Sequence, residues 1–175
     1  MTAFPKERIT SAEYRLLPET NLPMELIDGE IYQMPSPLLE HQRSLSKFFM
    51  KLAPLQTEGE WLFAPMDVQL DELNVLQPDL FWIAPNSQCQ SLNGRHLVGA
   101  PDLVIEVLSE STSRRDKQVK YRLYEKYGTR EYWLVHPIEQ SIEVYVRQDI
   151  YFVGDTFESP LLGKSIVVAE IFAVA

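Results

Sequence analysis

Two carboxylates occupy segments whose sequences are otherwise typical of buried β-strands. Asp79 directly follows Pro78 and precedes the apolar run LFWI, and Glu106 lies inside the run LVIEVL. An unpaired charge in a buried strand costs several kcal/mol, so each carboxylate needs a metal ion, a basic partner or an open cleft. Two hard oxygen ligands, completed by water and phosphate oxygens, are the usual protein contribution to a Mg²⁺ site. The spacing alone leaves open the alternative that each carboxylate pairs with an arginine or a backbone N–H.

A basic stretch, SRRDKQVKYR (113–122), follows the second carboxylate. In a helix that starts near Asp116, the side chains of Asp116, Lys120 and Tyr124 follow one another at four-residue spacing and share a face. A lysine beside a metal-bound phosphate can orient the attacking water and stabilise the negative charge of the transition state. The alternative is a solvated helix face on which Asp116 and Lys120 form an ion pair worth about 0.3–0.5 kcal/mol.

A histidine and several acids could approach the same site. His41 lies one helical turn before Leu45, where its ring could contact phosphate or relay a proton near neutral pH. A hydrogen-bonded histidine at a helix start is the alternative. Among the acids Glu25, Glu30 and Glu40, we expect Glu30 to be the best candidate because it begins a hairpin strand, although a simple cross-strand partner is the alternative.

Other polar residues have weaker claims to chemistry. Asp102 shares strand parity with Glu106, but it stands at the start of its strand, so capping of the entering loop is its favoured role. His96 and His136 lie near loops and lack a spacing typical of a metal pair. Cys89 lies in the polar stretch NSQCQS with no obvious base beside it, so we expect it to be chemically incidental.

The elements that would position these residues alternate between helix and strand. Thr10 to Glu13 has the pattern of a capping box before a short helix, and Asp28-Gly29 predicts the turn of a hairpin over 24–34. Ser36-Pro37 predicts the N-cap and first position of a longer helix that Pro54 ends. The remaining predicted elements are strands over 61–70, 75–83, 100–109 and 131–137, a polar connection over 84–100, a helix over 116–127 that Gly128 ends, a terminal hairpin over 142–147 and 150–153, and a helical turn over 169–173.

The order of the central elements is αβββαβ. The strand–helix–strand step over 102–136 implies a right-handed parallel crossover, and the tighter connections before it predict a meander. We therefore expect the α/β (α+β) class, with a mixed central sheet flanked by helices and with N-terminal and C-terminal β-hairpins. The length of 175 residues suits a single domain over 1–175, with its core at about 36–137.

Composition limits the classes of function. Hydrophobic residues make up 45% and charged residues 23%, as in ordinary globular proteins. The chain has neither an apolar run long enough to span a membrane nor an apolar N-terminal stretch, so we expect a cytoplasmic protein that does not enter membranes. A net charge of −9 opposes non-specific coating of nucleic acid, which depends on lysine and arginine, but it leaves room for one local basic patch.

Together these segments resemble a known family. QPDLFWI (77–83), GAPDLVIEVLSESTSRRDKQVKYRLYEKYGTREYWLVHP (99–137) and MELIDGEIYQMPSP (24–37), with the helix that carries His41, resemble the Uma2 family, also called DUF820. That family is described as restriction-endonuclease-like and belongs to the PD-(D/E)xK nuclease superfamily, whose core is αβββαβ. The resemblance covers roughly residues 10–173.

The resemblance implies roles for particular residues. Asp79 matches the aspartate of the PD element and Glu106 the acid of (D/E)xK, but Leu108 stands where the motif lysine belongs. The family pattern places that lysine on the following helix at Lys120, with Lys117 in reserve. Mg²⁺ or Mn²⁺ would then be held by Asp79, Glu106 and the Val107 carbonyl.

The implied activity is metal-dependent hydrolysis of DNA phosphodiester bonds. His41, Arg114, Arg115 and Lys117 would bind backbone phosphates, while Glu30, Asp102 and Tyr124 would support the site. A homodimer would suit cleavage of both strands. The alternative is a catalytically silent nuclease fold used for binding or assembly, which the charge of −9 and the displaced lysine both favour.

Overall fold

The computed structural model describes residues 8–18, 22–56, 58–108, 116–146, 149–151 and 155–173. Its α-helices are α1 (Ser11–Tyr14), α2 (Leu39–Leu52), α3 (Tyr121–Tyr127) and α4 (Val168–Phe172). A 3₁₀ turn, Ala53–Leu55, follows α2, and a π-helical turn, Asp116–Lys120, leads into α3. None of the helices in these ranges is long and apolar enough to cross a membrane.

The strands are short and belong to two larger sheets and a separate hairpin. In chain order they are β1 (Met24–Ile27), β2 (Glu30–Gln33), β3 (Glu60–Phe63), β4 (Val68–Gln69), β5 (Val75–Leu76), β6 (Leu80–Ile83), β7 (Gln90–Leu92), β8 (His96–Val98), β9 (Leu103–Val107), β10 (Glu131–His136), β11 (Ser141–Val146), β12 (Asp149–Tyr151), β13 (Thr156–Ser159) and β14 (Lys164–Val167). The first sheet has the order β2-β1-β5-β4-β8-β7, the second β12-β11-β10-β9-β6-β3, and β13 pairs with β14.

The N-terminal elements form as the sequence predicts. The Thr10 hydroxyl accepts a hydrogen bond from the Glu13 N–H at 3.3 Å, and the Glu13 carboxylate accepts one from the Thr10 N–H at 2.7 Å. The turn between β1 and β2 has positive φ at both central residues, +50° at Asp28 and +77° at Gly29. Such a turn matches the twist of the flanking strands, so it fixes the register of the hairpin that carries Glu25.

The second sheet contains the predicted αβββαβ core. Strands β3, β6 and β9 pair antiparallel in sequence order, and β9 pairs parallel with β10 after the chain has passed through α3. Gly128 ends α3 with φ of +97°, a conformation that glycine adopts without strain. The mixed sheet of the predicted α+β class is therefore confirmed.

Each face of the second sheet has its own core. Leu103, Ile105 and Val107 of β9 pack with α2, α4 and the β13–β14 hairpin, whereas Val104 and Leu108 pack with α3 and the first sheet. All five residues of β9 are buried, as the continuous apolar run predicts for a central strand. Because side chains alternate between faces, Glu106 projects toward the side of α3 and the first sheet.

Proline interrupts both long strands predicted over 61–70 and 75–83. The first divides into β3 and β4 around Pro65, and the second divides into β5 and β6 around Pro78. Proline has no N–H for the strand ladder, which explains the breaks. The halves next to the connecting turn, β4 and β5, belong to the first sheet, and the halves farther from it, β3 and β6, belong to the second. The predicted hairpin therefore extends across both sheets.

Three further boundaries differ from the prediction. The connection predicted over 84–100 contains β7 and β8. Strand β7 was not predicted because all three residues of this edge strand are exposed, so its sequence has no alternation of apolar and polar residues. The hairpin β13–β14 was also missed. Helix α2 begins at Leu39 rather than after Ser36, because Leu38 is still extended at ψ of 156° and provides no side-chain cap.

Candidate functional site

A large cavity of about 1400 Å³ lies where the two sheets approach the start of α2 and the turn before α3. The predicted residues that line it are His41, Asp79, Glu106, Val107 and Lys120. They come from segments far apart in the chain, so their convergence is a product of the tertiary fold. Glu25, Gln77 and His136 also line the cavity.

Asp79 stands where the chain leaves Pro78 and enters β6. The antiparallel register pairs Leu80 with Ile105, which places Asp79 across from Glu106. Directly opposed residues in such a pair have Cβ atoms roughly 4.5–5.5 Å apart. The Asp79 Oδ2 atom accepts a hydrogen bond from the Val107 N–H at 2.8 Å and lies 3.0 Å from His41 Nε2. These two contacts fix one carboxylate oxygen of Asp79 and link α2 to the sheet.

Lys120 lies between two buried carboxylates. Its Nζ atom is 2.8 Å from Glu25 Oε1 and 3.2 Å from Glu106 Oε1. The side chain of Lys120 is 3% exposed, that of Glu25 is 1% exposed and that of Glu106 is 3% exposed. At such burial each charge depends on its partners, because desolvation of an isolated ion costs several kcal/mol.

Glu25 is held by the segment that enters β6. Its Oε1 atom also accepts a hydrogen bond from the Gln77 N–H at 3.0 Å, and the Gln77 side chain donates to Asp67 Oδ1 at 2.7 Å. Glu25 Oε2 is buried and has no hydrogen-bond partner in the described part of the chain. The first sheet thus contributes a carboxylate directly to the site in the second.

The oxygen donors suit a hard divalent cation. Among the described residues, no three histidine, cysteine, aspartate or glutamate side chains converge on a point suited to a metal ion. The protein would therefore contribute one or two carboxylates, which is the usual share for Mg²⁺ when water and phosphate complete its shell. Asp79 and Glu106, opposed across two strands, fit that donor chemistry.

The start of α2 favours an anion in the same cavity. Leu38, Glu40, His41 and Gln42 line it, and the helix has no side-chain hydrogen bond at its N-cap. The first N–H groups of a helix carry partial positive charge and bind phosphate or carboxylate readily. An acidic cation site and a helix start suited to anions therefore share one wall of the cavity.

Some predicted residues lie elsewhere. Glu30, expected to be the best of the extra acids, does not line the cavity and accepts a hydrogen bond from the Tyr32 hydroxyl at 3.3 Å. Glu25 takes the place expected for Glu30, because Glu25 lies on β1, which pairs with β5 beside Gln77, whereas Glu30 lies on the edge strand β2.

Asp102 and Tyr124, which were predicted to support the site, do not line the cavity. Asp102 Oδ2 accepts a hydrogen bond from the N–H of Ala84, the residue after β6, at 2.9 Å, while its role in capping the loop that enters β9 stays a prediction. Tyr124 is fully buried and packs on Tyr132 at 5.5 Å between ring centroids. Arg114, Arg115 and the side chain of Lys117 lie outside the residues that the structure describes.

Sequence reasoning undervalued Glu25 and missed Gln77 and His136. The sequence signal for Glu25 was of the same kind as that for Glu106, because Glu25 is an acid within the short apolar run MELI. Gln77 directly precedes the Pro78-Asp79 pair, and its role depends on a backbone N–H that no residue pattern reveals. His136 ends an apolar strand whose alternate residues Tyr132 and Leu134 face the same side as Glu106.

The fold of this chain is similar to that of a solved structure. A crystal structure described as a putative nuclease belonging to DUF820, from Anabaena variabilis ATCC 29413, matches this chain with a TM-score of 0.78. The match covers 94% of this chain and 97% of that chain at 23% sequence identity, so it establishes the fold. No curated protein matches the sequence.

The chain belongs to the Uma2 family. The family model, described as "Putative restriction endonuclease", matches residues 11–164. The resemblance seen in the sequence is thereby confirmed, and the description of the family supports a nuclease.

Proposed function

We propose that this chain is a divalent-metal-dependent endonuclease that hydrolyses phosphodiester bonds of DNA. The observation that carries this proposal is the convergence of Asp79, Glu106 and Lys120 on one cavity from three separate segments. The displaced lysine is central to it, because Lys120 Nζ lies 3.2 Å from Glu106 although the motif position two residues later is Leu108. The ion-pair distance between Lys120 and Glu106 supports a role for Lys120 in place of the motif lysine.

Asp79, Glu106 and the Val107 carbonyl would hold Mg²⁺ or Mn²⁺. When bound, the ion would polarise the phosphate and lower the pKa of a coordinated water. The Val107 N–H and His41 restrain Asp79 through one oxygen, so that its other oxygen faces a defined direction. Hydrogen bonds of this kind fix the orientation of a ligating carboxylate relative to the metal ion.

The remaining residues would bind and orient the substrate. Lys120 would stabilise the negative charge that develops on the phosphate, and the first turn of α2 would present N–H groups to a phosphate oxygen. Arg114, Arg115 and Lys117 precede Lys120 in sequence and would contact neighbouring backbone phosphates. Because the chain carries a net charge of −9, binding would depend on this local patch and would weaken with added salt.

The test combines cleavage with metal binding. Plasmid DNA and single- and double-stranded oligonucleotides would be incubated with the wild type, Asp79→Asn and Glu106→Gln in Mg²⁺ or Mn²⁺. We expect chelator-sensitive cleavage that both variants lose, whereas Glu30→Gln, an acid on the same protein but outside the cavity, retains it. Calorimetry with Mn²⁺ should show binding to the wild type and weaker binding to both site variants. Cleavage that persists in both site variants would remove the assignment.

A second candidate is a binding or assembly module in which the site is silent. The position of Lys120 favours it, because the ammonium already forms ion pairs with Glu25 and Glu106. The acidic chain favours it as well. Absence of Mn²⁺ binding at millimolar concentration would support the module over the enzyme.

A further inference from the structure

His136 ends β10 at the same edge of the second sheet as Glu106 and Val107. Strands β9 and β10 run parallel with Val107 paired to Val135, so the next residue along β10 reaches the carboxyl end of the sheet beside the cavity. His136 lines this cavity, and alternation places it on the face of Tyr132 and Leu134, which is also the face of Glu106. The imidazole is therefore a neighbour of the proposed site that neither the family motif nor the mechanism above uses.

Glu143 orients the His136 ring. His136 Nε2 lies 2.8 Å from Glu143 Oε1, and the other oxygen of Glu143 accepts a hydrogen bond from the Tyr145 hydroxyl at 2.7 Å. In the β10–β11 register Glu143 pairs with Leu134, which makes it a diagonal neighbour of His136. An imidazole held by a carboxylate that is itself held by a hydroxyl has a fixed ring plane.

This contact also decides where the lone pair of a neutral His136 lies. An ionised carboxylate can only accept hydrogen bonds, so the nitrogen that faces Glu143 must carry the proton. Nε2 is then the donor, and Nδ1 is the unprotonated nitrogen in the neutral ring. Nδ1 lies 3.7 Å from Glu139 Oε2, which is beyond hydrogen-bond distance.

The unprotonated nitrogen is turned toward a residue that lines the cavity. Glu139, toward which Nδ1 is turned, lines the cavity, whereas Glu143, toward which Nε2 is turned, does not. Glu139 is 73% exposed, so the side chain that Nδ1 faces is in contact with solvent. A water or hydroxyl group in the cavity can therefore meet a proton acceptor there.

We infer that His136, held by Glu143, is a proton-transfer residue of the nuclease site. The inference rests on the proposed function. As the oxygen of the attacking water forms its bond to phosphorus, His136 Nδ1 takes the proton that this water loses, and the bond from phosphorus to the departing sugar oxygen breaks. The departing oxygen takes a proton from solvent, and the imidazolium returns its proton to solvent, so the ring is regenerated.

Kinetics of matched variants test this role. A positioned general base contributes about 10²–10⁴-fold, so His136→Ala should lower kcat by at least about 100-fold with little change in KM. Added imidazole should restore part of the rate of His136→Ala. Glu143→Gln should lower kcat by about 10–100-fold, because its amide can donate to Nε2 and reverse the tautomer. Glu158→Gln, which changes an exposed acid on β13 that does not line the cavity, is the control and should keep wild-type kcat.

Two measurements separate the inference from the proposed function. Calorimetry should give His136→Ala the same Mn²⁺ affinity as the wild type, because the ring is not a metal ligand in this scheme. Nitrogen NMR should find the Nε2–H tautomer in the wild type and its loss in Glu143→Gln. The role of His136 alone is overturned if the wild type cleaves DNA and His136→Ala keeps the wild-type kcat or changes only in KM. It is also overturned if added imidazole does not restore the rate of His136→Ala. A wild type that cleaves no DNA overturns the proposed function and this inference together.

Discussion

Replacing Lys120 with methionine removes the ammonium from between Glu25 and Glu106 and keeps a side chain of similar length. Two carboxylates, each 3% exposed or less, would then remain buried without their shared cation. Breaking a buried pair by removal of one partner costs about 3–5 kcal/mol. We therefore expect the free energy of unfolding to fall by about 3–5 kcal/mol, which for a chain of this size lowers Tm by about 6–20 °C.

The same substitution should make stability depend on divalent cations. With its ammonium gone, the carboxylate site has excess negative charge that Mn²⁺ can neutralise, and a ligand at 100 times its Kd stabilises the fold by about 2.7 kcal/mol. Urea denaturation of Lys120→Met with and without Mn²⁺ measures both effects. Lys51→Met, at an exposed position near the end of α2, is the control and should respond to neither.

A double-mutant cycle makes the reasoning refutable. Glu25→Gln keeps an acceptor for the Gln77 N–H but removes one of the two charges, so Lys120→Met combined with Glu25→Gln should lose less stability than the sum of the single variants. A loss below about 1 kcal/mol for Lys120→Met, or strict additivity in the cycle, would show that these charges do not depend on one another.

Two further predictions concern groups outside the cavity. Burial opposes ionisation of Asp71, but hydrogen bonds from Tyr127 and Asn74 outweigh that effect and hold its pKa below the ordinary value. A carboxylate whose pKa is lower in the folded state stabilises the fold above its unfolded pKa of about 4, and this contribution is lost as pH falls. In urea titrations the stability difference between the wild type and Asp71→Asn should therefore shrink below about pH 4. A difference that does not change with pH would contradict this prediction. Burial, assisted by the charge of Asp102, raises the pKa of the Cys89 thiol to about 12. A disulfide reagent at about pH 8 should therefore label the native protein slowly and the urea-unfolded chain fast, and rapid labelling of the native protein would disprove the inert thiol.

Local patterns were enough to predict the second sheet. The run LVIEV predicted a buried strand because it is apolar apart from Glu106, and Ser36-Pro37 and Pro54 predicted the limits of α2 to within a few residues. The carboxylates at Asp79 and Glu106 could be selected because charge is costly in such runs. These signals are contained in single segments, which is why one sequence reveals them.

Pairing between distant segments could not be predicted in the same way. Glu25 and Gln77 are 52 residues apart, and nothing in either segment specifies that one will accept a hydrogen bond from the other. The sequence favoured Glu30 over Glu25, whereas the structure places Glu25 at the cavity, because β1 and not β2 is the strand that pairs with β5. The division into two sheets was missed for a related reason, since the strand pattern on either side of Pro65 is compatible with one continuous strand.

The passage of the chain between the two sheets at Gln77 and Asp79 has a consequence for the integrity of the site. An opening of the first sheet alone would separate Glu25 from Lys120 while β9 and β10 stay paired, because local opening need not involve the whole molecule. A fragment limited to residues 36–137 would contain Asp79, Glu106 and Lys120 but would lack Glu25. Completion of the site therefore depends on the first sheet, since Lys120 has both of its carboxylate partners only after the N-terminal hairpin has docked.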